Sequence, residues 1–338
     1  MRKVTIKDVA KEAGVAISTV SNALNDSHLV SKTTKEHILE VAERLNYIPN
    51  LSGRGLKADK TKTVAFVSSS VRGSYFYDLM DSMSDGFSKY GYVMYFVVTR
   101  DRAAIMNCIL GGSYDGVIIF EGDRVTEEDL HVMEKNQIKA ILLDRKYSSK
   151  YISSIVFNSF YAGYELTKYL IGLGHKNIVF IDGATDAYDS QERKRGFFAA
   201  MDEYHIPYTE EENVITGWFE EQVAYNAVIS YIRIDKKPIP DAFIAANDLS
   251  AIGCMKALTA TGIRVPEDVS VVGFDDVELA QYYNPSLTTY KNPIDYQGRA
   301  TADLMIKMIE GESQGVEREI EGTLVLRKSA GICKRVTL

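Results

Sequence analysis

Apolar residues recur at helical spacing in three short segments at the start of the chain. The first segment begins after Thr5, a residue suited to cap a helix, and ends at Gly14. A second begins near Ser18, and a third covers residues 33–46. The apolar positions that predict the inner faces are Ile6, Val9, Ala10, Ala13, Val20, Leu24, Ile38, Leu39, Val41, Ala42 and Leu45. The pattern predicts a core of three helices.

The second of these helices carries small hydrogen-bonding side chains opposite its apolar positions. They are Ser18, Thr19, Ser21, Asn22 and Asn25. Such a face suits the base edges and phosphates of a DNA groove. Two short helices joined by a tight turn therefore favour a helix-turn-helix. A small helical hairpin whose polar face is merely solvated is the alternative interpretation.

From Thr63 onward, apolar runs alternate with amphipathic segments. The runs that predict strands cover residues 63–69, 92–98, 115–121, 139–144, 154–158, 176–182, 241–246 and 268–275. This alternation is typical of parallel sheets covered by helices, and its two similar halves predict two lobes. The sequence contains no H-E-x-x-H or P-loop motif, and no G-x-G-x-x-G follows the first strand of either half. A G-x-S-x-G match occurs at residues 311–315, but it follows a predicted helix and does not stand between a strand and a helix as a nucleophile elbow does. It therefore offers no recognisable catalytic motif.

Several motifs spread along the chain carry a resemblance to a known family. They are VTIKDVAKEAGVAISTVSNALN at 4–25, a Tyr-x-Pro-Asn step at 47–50, GRGL at 53–56, LGHK at 173–176, Asn-Asp at 247–248 and VPEDVSVVGFDD at 265–276. Together they resemble the LacI/GalR family of bacterial transcription regulators, and the resemblance covers essentially the whole chain.

The resemblance implies an α/β protein in three parts. Residues 1–48 would form a helix-turn-helix headpiece of three helices, and residues 49–62 a hinge helix and linker. Residues 63–338 would form a two-lobed core like that of periplasmic binding proteins, with parallel sheets wrapped by helices. Lobe 1 is expected at about 63–159 and 292–321, and lobe 2 at about 160–290 and 322–338. This core would bind an effector and dimerise.

Charge is distributed unevenly along the 338 residues, whose net charge is −7. The first 62 residues hold 11 Lys/Arg against 7 Asp/Glu, and the remainder holds 28 against 39. The basic end is therefore the expected nucleic-acid end.

Cysteine and histidine usage argues against covalent or metal cross-links. Cys108, Cys254 and Cys333 lie far apart in sequence, which disfavours a disulfide framework or a zinc ribbon. Five scattered histidines predict no metal site, and no cofactor is expected. No apolar run approaches the length of a membrane span, so we expect a soluble protein of the bacterial cytoplasm.

By resemblance, the headpiece contacts DNA through two sets of residues. Ile17, Ser18 and Asn22 match positions that read bases. Positions that contact phosphates are matched by Thr5, Thr19, Ser21, Asn25, Ser31 and Thr34, of which Thr5 and Ser31 also serve as helix caps. Family members commonly carry arginine where this chain has Asn22. Because asparagine is shaped to pair with adenine and arginine with guanine, a different operator is expected.

The segment 51–58 matches the hinge helix that relatives insert at the minor groove. Leu56 would be the apolar wedge there, and Asn50 and Arg54 would add DNA contacts. Gly53 and Gly55 weaken this helix by about 1 kcal/mol each relative to alanine, so we expect it to be disordered without DNA. An ordinary flexible linker is the alternative interpretation.

Ligands of open parallel sheets bind beyond the carboxyl ends of the strands. The candidate effector-binding residues, from this rule and the resemblance, are Tyr75, Phe76, Asp144, Asp189, Arg193, Phe219, Asn247 and Asp275. The alternatives are that Phe76 and Phe219 belong to the core, that Asp144 is a turn residue, and that Asp248 caps a helix. Asp275 and Asp276 could suggest a glycosidase, but neighbouring side chains at a strand end point apart.

The sequence therefore indicates a DNA-binding transcriptional regulator, expected to be a repressor, and not an enzyme. It would act as a homodimer on a pseudo-palindromic double-stranded operator under the control of a small molecule. A neutral mono- or disaccharide is the expected effector, because Ala187-Tyr188-Asp189 stands where purine-responsive relatives carry a second arginine. A regulator responding to a purine or to a phosphoprotein corepressor is the alternative. A solute-binding receptor is disfavoured by residues 1–58.

We predict that Asn22→Arg shifts operator preference towards guanine at one symmetric pair of positions, because only the hydrogen-bonding pattern of that side chain changes. Selection of operators from random DNA with both proteins measures this. Identical preferred sequences would exclude Asn22 from base reading.

Overall fold

The computed structural model describes residues 4–24, 29–47, 60–71, 73–120, 124–234 and 237–334. Contacts within the chain divide it into two units between Thr61 and Lys62. The predicted hinge helix, with Gly53 and Gly55, lies outside the described residues. The same holds for the predicted DNA-contacting residues Asn25, Asn50, Arg54 and Leu56.

The first unit contains three short helices, α1 (Ile6–Ala13), α2 (Ile17–Leu24) and α3 (Lys32–Arg44). Asp8 Oδ2 accepts hydrogen bonds from the Thr5 amide at 2.8 Å and the Thr5 hydroxyl at 2.7 Å, so both residues fix the start of α1. Gly14 ends α1 in the left-handed conformation with φ of 65°. The residues buried between the three helices are Val9, Ala10, Ala13, Val20, Ala23, Ile38, Val41 and Ala42.

Helix α3 ends two residues before the predicted position. Asn46 adopts φ of 49°, and the Tyr47 amide donates to the Ala42 carbonyl at 2.8 Å. A left-handed residue followed by such a bond is a common way to terminate a helix. The apolar spacing alone extended the prediction to Asn46 because Leu45 continues the inner face.

The second unit is built on two sheets. The strands are β1 (Thr63–Ser68), β2 (Val93–Val98), β3 (Gly116–Phe120), β4 (Ala140–Leu142), β5 (Ile152–Phe157), β6 (Ile178–Asp182), β7 (Val214–Thr216), β8 (Ala242–Ala245), β9 (Ser270–Asp275), β10 (Thr288–Lys291), β11 (Glu317–Ile320) and β12 (Thr323–Val325). One sheet has the order β11-β5-β4-β3-β1-β2 and is parallel. The other has the order β12-β10-β9-β8-β6-β7, in which β12 alone runs antiparallel to its neighbour.

Helices cover both sheets. They are α4 (Ser74–Ser88), α5 (Arg102–Leu110), α6 (Glu127–Lys135), α7 (Ser159–Gly172), α8 (Tyr188–Glu203), α9 (Glu210–Asn213), α10 (Glu221–Ile229), α11 (Asp248–Ala260), α12 (Glu278–Tyr282) and α13 (Ile294–Glu310). Each sheet has a separate apolar cluster on either face. The predicted two-lobed α/β architecture is therefore confirmed. Within the described residues, no helix is both long and apolar enough to cross a membrane.

The chain passes from one sheet to the other after β5, after β10 and after β11. Two of these crossing segments are bonded to each other, because Asn158 Nδ2 donates to Glu321 Oε1 at 2.8 Å. The Tyr290 hydroxyl donates to the Gly322 carbonyl at 3.3 Å, beside the second crossing. The lobes are thus joined by connected backbone segments.

Helices α7 and α8 approach closely because each presents a glycine to the other. A Cβ at Gly163 would lie 2.1 Å from the Arg193 carbonyl oxygen, and one at Gly196 would lie 2.1 Å from the Phe160 carbonyl oxygen. Neither backbone oxygen can rotate away as a flexible side chain could. The position of α8, which carries Arg193 and Asp189, therefore depends on the absence of these two side chains.

We predict that Gly163→Ala lowers the free energy of unfolding by about 1–3 kcal/mol, because the added methyl must separate the two helices. Gly172→Ala in the same helix is the matched control, since a Cβ there meets no atom within 4 Å. The control should be neutral or stabilise by up to about 1 kcal/mol. Urea unfolding followed by fluorescence of Trp218, the single tryptophan of the chain, compares them. Equal stabilities would contradict the close approach.

Candidate functional site

The outward face of α2 carries the side chains that the sequence predicts to contact DNA. Ile17 and Ser18 are exposed, and Thr19, Ser21 and Asn22 are partly exposed, whereas Val20 and Ala23 on the opposite face are buried. Ile17 is apolar and 45% exposed, so part of its side chain is accessible to a partner.

The predicted phosphate-contact residues at the helix starts also make local hydrogen bonds. The Thr34 amide donates to Ser31 Oγ at 3.3 Å, and the hydroxyls of Ser31 and Thr34 lie 2.8 Å apart. Thr5 and Ser31 are exposed. Their capping role is thus observed, and a hydroxyl in this position remains accessible to a phosphate oxygen.

In the second unit, a buried guanidinium lies at the carboxyl ends of the strands. Arg193 extends from α8, is 3% exposed, and donates from Nη2 to Asp275 Oδ1 at 3.1 Å. Its Nη1 donates to the Ala246 carbonyl, one residue beyond β8. The guanidinium carbon lies 4.8 Å from the Phe274 ring centroid and 5.8 Å from that of Phe157. Within the described residues, Arg193 Nε has no hydrogen-bond partner, so one buried donor is available for a ligand.

Asp275, the last residue of β9, is 7% exposed. Burial raises its pKa and the Asp189 carboxylate adds to this, whereas Arg193 lowers the pKa through its charge and its hydrogen bond. The backbone at Asp275 has φ of 102°, a conformation that few residues other than glycine adopt. The surrounding residues therefore keep Asp275 in a buried position and in an unfavourable backbone conformation.

Acidic groups from both lobes surround the phenol of Tyr75, on α4. Burial raises its pKa well above the ordinary value, followed in size by the charges of Asp189 and Asp275, and Asp144 also contributes. The phenol of Tyr75 therefore lies within electrostatic range of Asp144 in its own lobe and of Asp189, Arg193 and Asp275 in the other lobe.

Aromatic side chains and further hydrogen bonds line this cluster. The Tyr75 and Phe76 ring centroids lie 5.3 Å apart, and those of Phe76 and Phe120 lie 5.1 Å apart. The Tyr75 hydroxyl donates to Gln297 Oε1 at 3.4 Å. Phe76 packs against the apolar cluster of its lobe, so it serves the core as well as the edge of the site.

Asp189 and Asp144 are held in different ways. The Ser159 hydroxyl donates to Asp189 Oδ1 at 2.7 Å, which ties α8 to the start of α7. Asp144 is buried just beyond β4, and its Oδ1 lies 3.6 Å from Arg145 Nε. Asp144 is therefore a buried residue in the bend that follows β4, so its place in a turn and its place in the cluster are compatible.

Asn247 uses both polar atoms of its side chain within the protein. Its Oδ1 accepts from the Ser250 amide at 2.9 Å and caps α11, and its Nδ2 donates to the Phe219 carbonyl at 3.0 Å. Phe219 has φ of 61°, and a Cβ at Gly183 would lie 2.2 Å from its ring. Asn247 thus positions Phe219, a role that the sequence did not indicate.

The neighbouring acids Asp275 and Asp276 have separate partners. Asp276 Oδ1 lies 2.6 Å from Arg327 Nη2, and Asp276 Oδ2 lies 3.8 Å from Lys291 Nζ. Asp275 is bound instead to Arg193. The two carboxylates therefore do not form the acid and base pair of a glycosidase. No group of metal-ligating side chains is found in the part of the chain that the structure describes.

Sequence reasoning missed two buried amides near the cluster. Asn292 is 4% exposed and its Oδ1 has no hydrogen-bond partner among the described residues. It follows β10, whose Lys291 pairs with Asp275. Gln297 accepts from Tyr75 and donates to the Ile155 carbonyl at 3.0 Å. Recognition of residues 288–291 as a strand would have pointed to Asn292 by the strand-end rule.

Two parts of the chain match known families. Residues 5–50 match the family described as "Bacterial regulatory proteins, lacI family". Residues 167–330 match the family described as "Periplasmic binding protein-like domain". The first match contains the outward face of α2, and the second contains Asp189, Arg193, Asn247 and Asp275.

Relatives are similar over almost the whole chain. The probable HTH-type transcriptional repressor ExuR of Bacillus subtilis (strain 168) is 33% identical over 325 residues, which cover 95% of this chain and 96% of ExuR. The HTH-type transcriptional repressor PurR of Aliivibrio fischeri (strain MJ11) is 31% identical over 333 residues, which cover 96% and 98%.

Solved structures agree with this similarity. The lac repressor dimer bound to operator and the anti-inducer ONPF matches with a TM-score of 0.81 at 25% identity, covering 98% of this chain and 100% of that one. The complex of the transcriptional regulator CelR with cellobiose matches with a TM-score of 0.73 at 27% identity, covering 97% and 100%.

We predict that Asp275→Asn changes how stability depends on pH. Because the folded state raises the pKa of Asp275, its contribution is full below the ordinary pKa and is lost as pH rises through the raised value. The stability of Asp275→Asn relative to the original protein should therefore increase with pH and then level off. Urea unfolding at a series of pH values from about 4 to 8 measures this.

Asp268→Asn is the control with the opposite sign. Hydrogen bonds from Arg264 hold the pKa of Asp268 below its usual range, so its contribution is lost only as pH falls below about 4. Extending the series to about pH 2 should therefore show the stability of Asp268→Asn, relative to the original protein, rising as pH falls. A relative stability of Asp275→Asn that does not vary with pH would contradict the burial argument.

Proposed function

Because the chain belongs to the LacI family of bacterial regulatory proteins, we propose that it is a repressor whose binding to DNA is controlled by a neutral sugar. It is a DNA-binding transcriptional regulator and, like the repressors that it matches over 95% of its length, not an enzyme. The observation that carries the proposal is the cluster of Tyr75, Asp144, Asp189, Arg193 and Asp275 at the carboxyl ends of the strands.

In this proposal, residues 1–48 form the DNA-binding domain, and residues 49–62 form the hinge. Ile17, Ser18 and Asn22 read bases. Phosphates are contacted by Thr5, Thr19, Ser21, Asn25, Ser31 and Thr34, and the hinge adds Asn50, Arg54 and Leu56. The lac repressor is bound to its operator as a dimer. We propose that this chain likewise binds a double-stranded pseudo-palindromic operator, in the bacterial cytoplasm.

An exposed edge strand supports the proposed homodimer. Strand β2 forms one edge of its sheet. Four of its apolar or aromatic side chains are between 42% and 56% exposed, namely Val93, Tyr95, Phe96 and Val98. An apolar edge strand left in water is prone to uncontrolled association, and proteins usually cover one. A second copy of the chain would bury it.

On the effector side, the cluster combines three carboxylates with one guanidinium. The carboxylates of Asp144, Asp189 and Asp275 accept hydrogen bonds from hydroxyls, and Arg193 Nε offers a buried donor. Tyr75, Phe76 and Phe219 supply flat faces for the apolar side of a sugar ring. The excess of negative charge disfavours carboxylates and phosphates. The bound cellobiose of CelR is consistent with an effector of this class.

A purine is the second candidate, because PurR is among the relatives. Asn292 favours it to a degree, since its unpaired Oδ1 could accept from a purine N–H. The Asp189 carboxylate repels an anionic ligand but can accept a hydrogen bond from a purine N–H group. The charge of the cluster therefore does not decide between a sugar and a purine, and an experiment must separate the two candidates. A phosphoprotein corepressor would act elsewhere and would leave the pocket empty.

A thermal-shift panel on the full chain tests the effector class. The neutral sugars are glucose, galactose, ribose and cellobiose; the anions are glucuronate and glucose 6-phosphate; the purines are hypoxanthine and guanine. We expect a rise in melting temperature with at least one neutral sugar and a smaller rise or none with its anionic counterpart. A larger response to an anion or to a purine would refute the sugar proposal.

Asp275→Ala should abolish the response to that sugar while operator affinity stays within about threefold, because headpiece and core are separate units. Calorimetric titration and operator binding in gels measure the two properties. Asp268→Ala is the matched control, because Asp268 is a half-buried acid that is bonded to Arg264 and precedes β9 at the end opposite Asp275. Undiminished sugar binding by Asp275→Ala would exclude this pocket.

A further inference from the structure

The segment that carries Asp275 turns through two consecutive left-handed residues. Asp275 has φ of 102° and Asp276 has φ of 57°. For residues with a Cβ, such conformations persist only where surrounding contacts enforce them. Something beneath this turn, which we name the Asp275–Asp276 corner, must hold it in place.

A single buried carboxylate contacts the corner from below. Asp248 is fully buried at the first position of α11. Its Oδ2 accepts from the Val277 amide at 3.0 Å, and its Oδ1 accepts from the Thr289 hydroxyl at 2.6 Å. The same hydroxyl oxygen accepts from the Asp276 amide at 3.4 Å. The two amides that follow Asp275 are thus bound to one connected pair of side chains.

The sheet makes room for this carboxylate. A Cβ at Gly273, two residues before Asp275, would lie 2.4 Å from Asp248 Oδ1. The carboxylate therefore occupies the space that a side chain on β9 would fill. Capping does not require it, because Asn247 already caps α11 through the Ser250 amide.

Keeping a carboxylate here is unfavourable unless it has a specific role. Burial and the nearby charge of Asp275 raise the pKa of Asp248 well above its ordinary value, whereas the bonds from Thr289 and Val277 lower it. An apolar residue would avoid the desolvation. The hydrogen bonds to the corner are what the apolar residue could not make.

We propose that Asp248, acting with Thr289, is a positioning residue that holds the Asp275–Asp276 corner so that the Asp275 carboxylate is directed at Arg193. Asp248 itself does not touch the effector. The inference rests on the proposed function only where it assigns Asp275 to the effector pocket. Because Asn247 precedes Asp248 and positions Phe219, the start of α11 supports two sides of that pocket.

Thr289→Val tests the proposal with minimal change of shape. Valine replaces the hydroxyl by a methyl group and removes the bonds to Asp248 and to the Asp276 amide. Thr167→Val is the matched control, since Thr167 is also fully buried in the same lobe and its hydroxyl bonds only to the Gly163 carbonyl of its own helix. Thr289→Ser keeps the hydroxyl and should restore the original behaviour.

Two measurements on the full chain without effector decide the proposal. Amide hydrogen exchange at Asp276 and Val277 should accelerate by about tenfold or more in Thr289→Val and remain unchanged in Thr167→Val. The guanidinium NMR resonances of Arg193 should shift in Thr289→Val, because its partner Asp275 moves. Unchanged exchange would overturn the hold on the corner, and unchanged Arg193 resonances would overturn the positioning of Asp275.

Calorimetric titration with glucose, galactose, ribose and cellobiose separates this proposal from the sugar proposal. Where a sugar binds the original protein, affinity should fall about tenfold in Thr289→Val and by less than about twofold in Thr167→Val. If none of the four binds, the sugar proposal fails while the two effector-free measurements still decide the role of Asp248. Equal affinity of both variants would overturn the role of the corner in the pocket.

Discussion

A guanidinium that leaves water needs new hydrogen-bond partners inside the protein. In the second unit, this requirement determines how α8 is placed against the ends of β8 and β9. Arg193 has such partners in Asp275 and the Ala246 carbonyl, with its flat face over Phe274. These partners belong to the ends of β8 and β9, so α8 must approach both strands closely. The glycine contacts between α7 and α8 allow that approach. The corner at Asp275 then fixes the direction of the carboxylate. Changing any of these parts would remove a partner from a buried charge.

The sequence predicted those features that depend on residues close together in the chain. Thr5, Gly14 and the alternation of strands and helices each follow from local rules. Arg193 and Asp275 were assigned to one site by the strand-end rule together with the family resemblance. The left-handed corner was not predictable, because it depends on Asp248 and Thr289, which lie far from Asp275 in sequence. The role of Asn247 was missed for a similar reason, since its partner Phe219 is brought near only by the fold. Strand β10 was missed because it is short and ends at a crossing between lobes.

The cluster contains residues of both lobes, so a ligand bound there would couple its binding to the arrangement of the lobes. Tyr75 and Asp144 move with one sheet, whereas Asp189, Arg193 and Asp275 move with the other. A molecule that bonds to both groups favours the lobe arrangement in which all bonds are satisfied, and it shifts the population of arrangements by its difference in affinity between them. The hydrogen bond between Asn158 and Glu321 links two of the segments that connect the lobes. In the proposed function, such a shift is what controls the DNA-binding unit.

The three crossings between the lobes also determine when each lobe can complete its fold during synthesis. Helix α4 (Ser74–Ser88) is covered by α13 (Ile294–Glu310), where Gly86 meets Ala302 and Gly298 meets Ser82. About 200 residues separate the two helices, so at ~5–20 residues per second the ribosome needs on the order of 10–40 s to supply the second after the first. During that time Leu79, Met83 and Phe87 lack the surface that later buries them. The headpiece is continuous in sequence and can fold as soon as it is synthesised. The first lobe stays incompletely folded, with apolar surface exposed, until α13 is synthesised. The order of the segments therefore determines how long the apolar face of α4 stays uncovered during synthesis, and a circular permutant that places α13 before α4 would shorten that time.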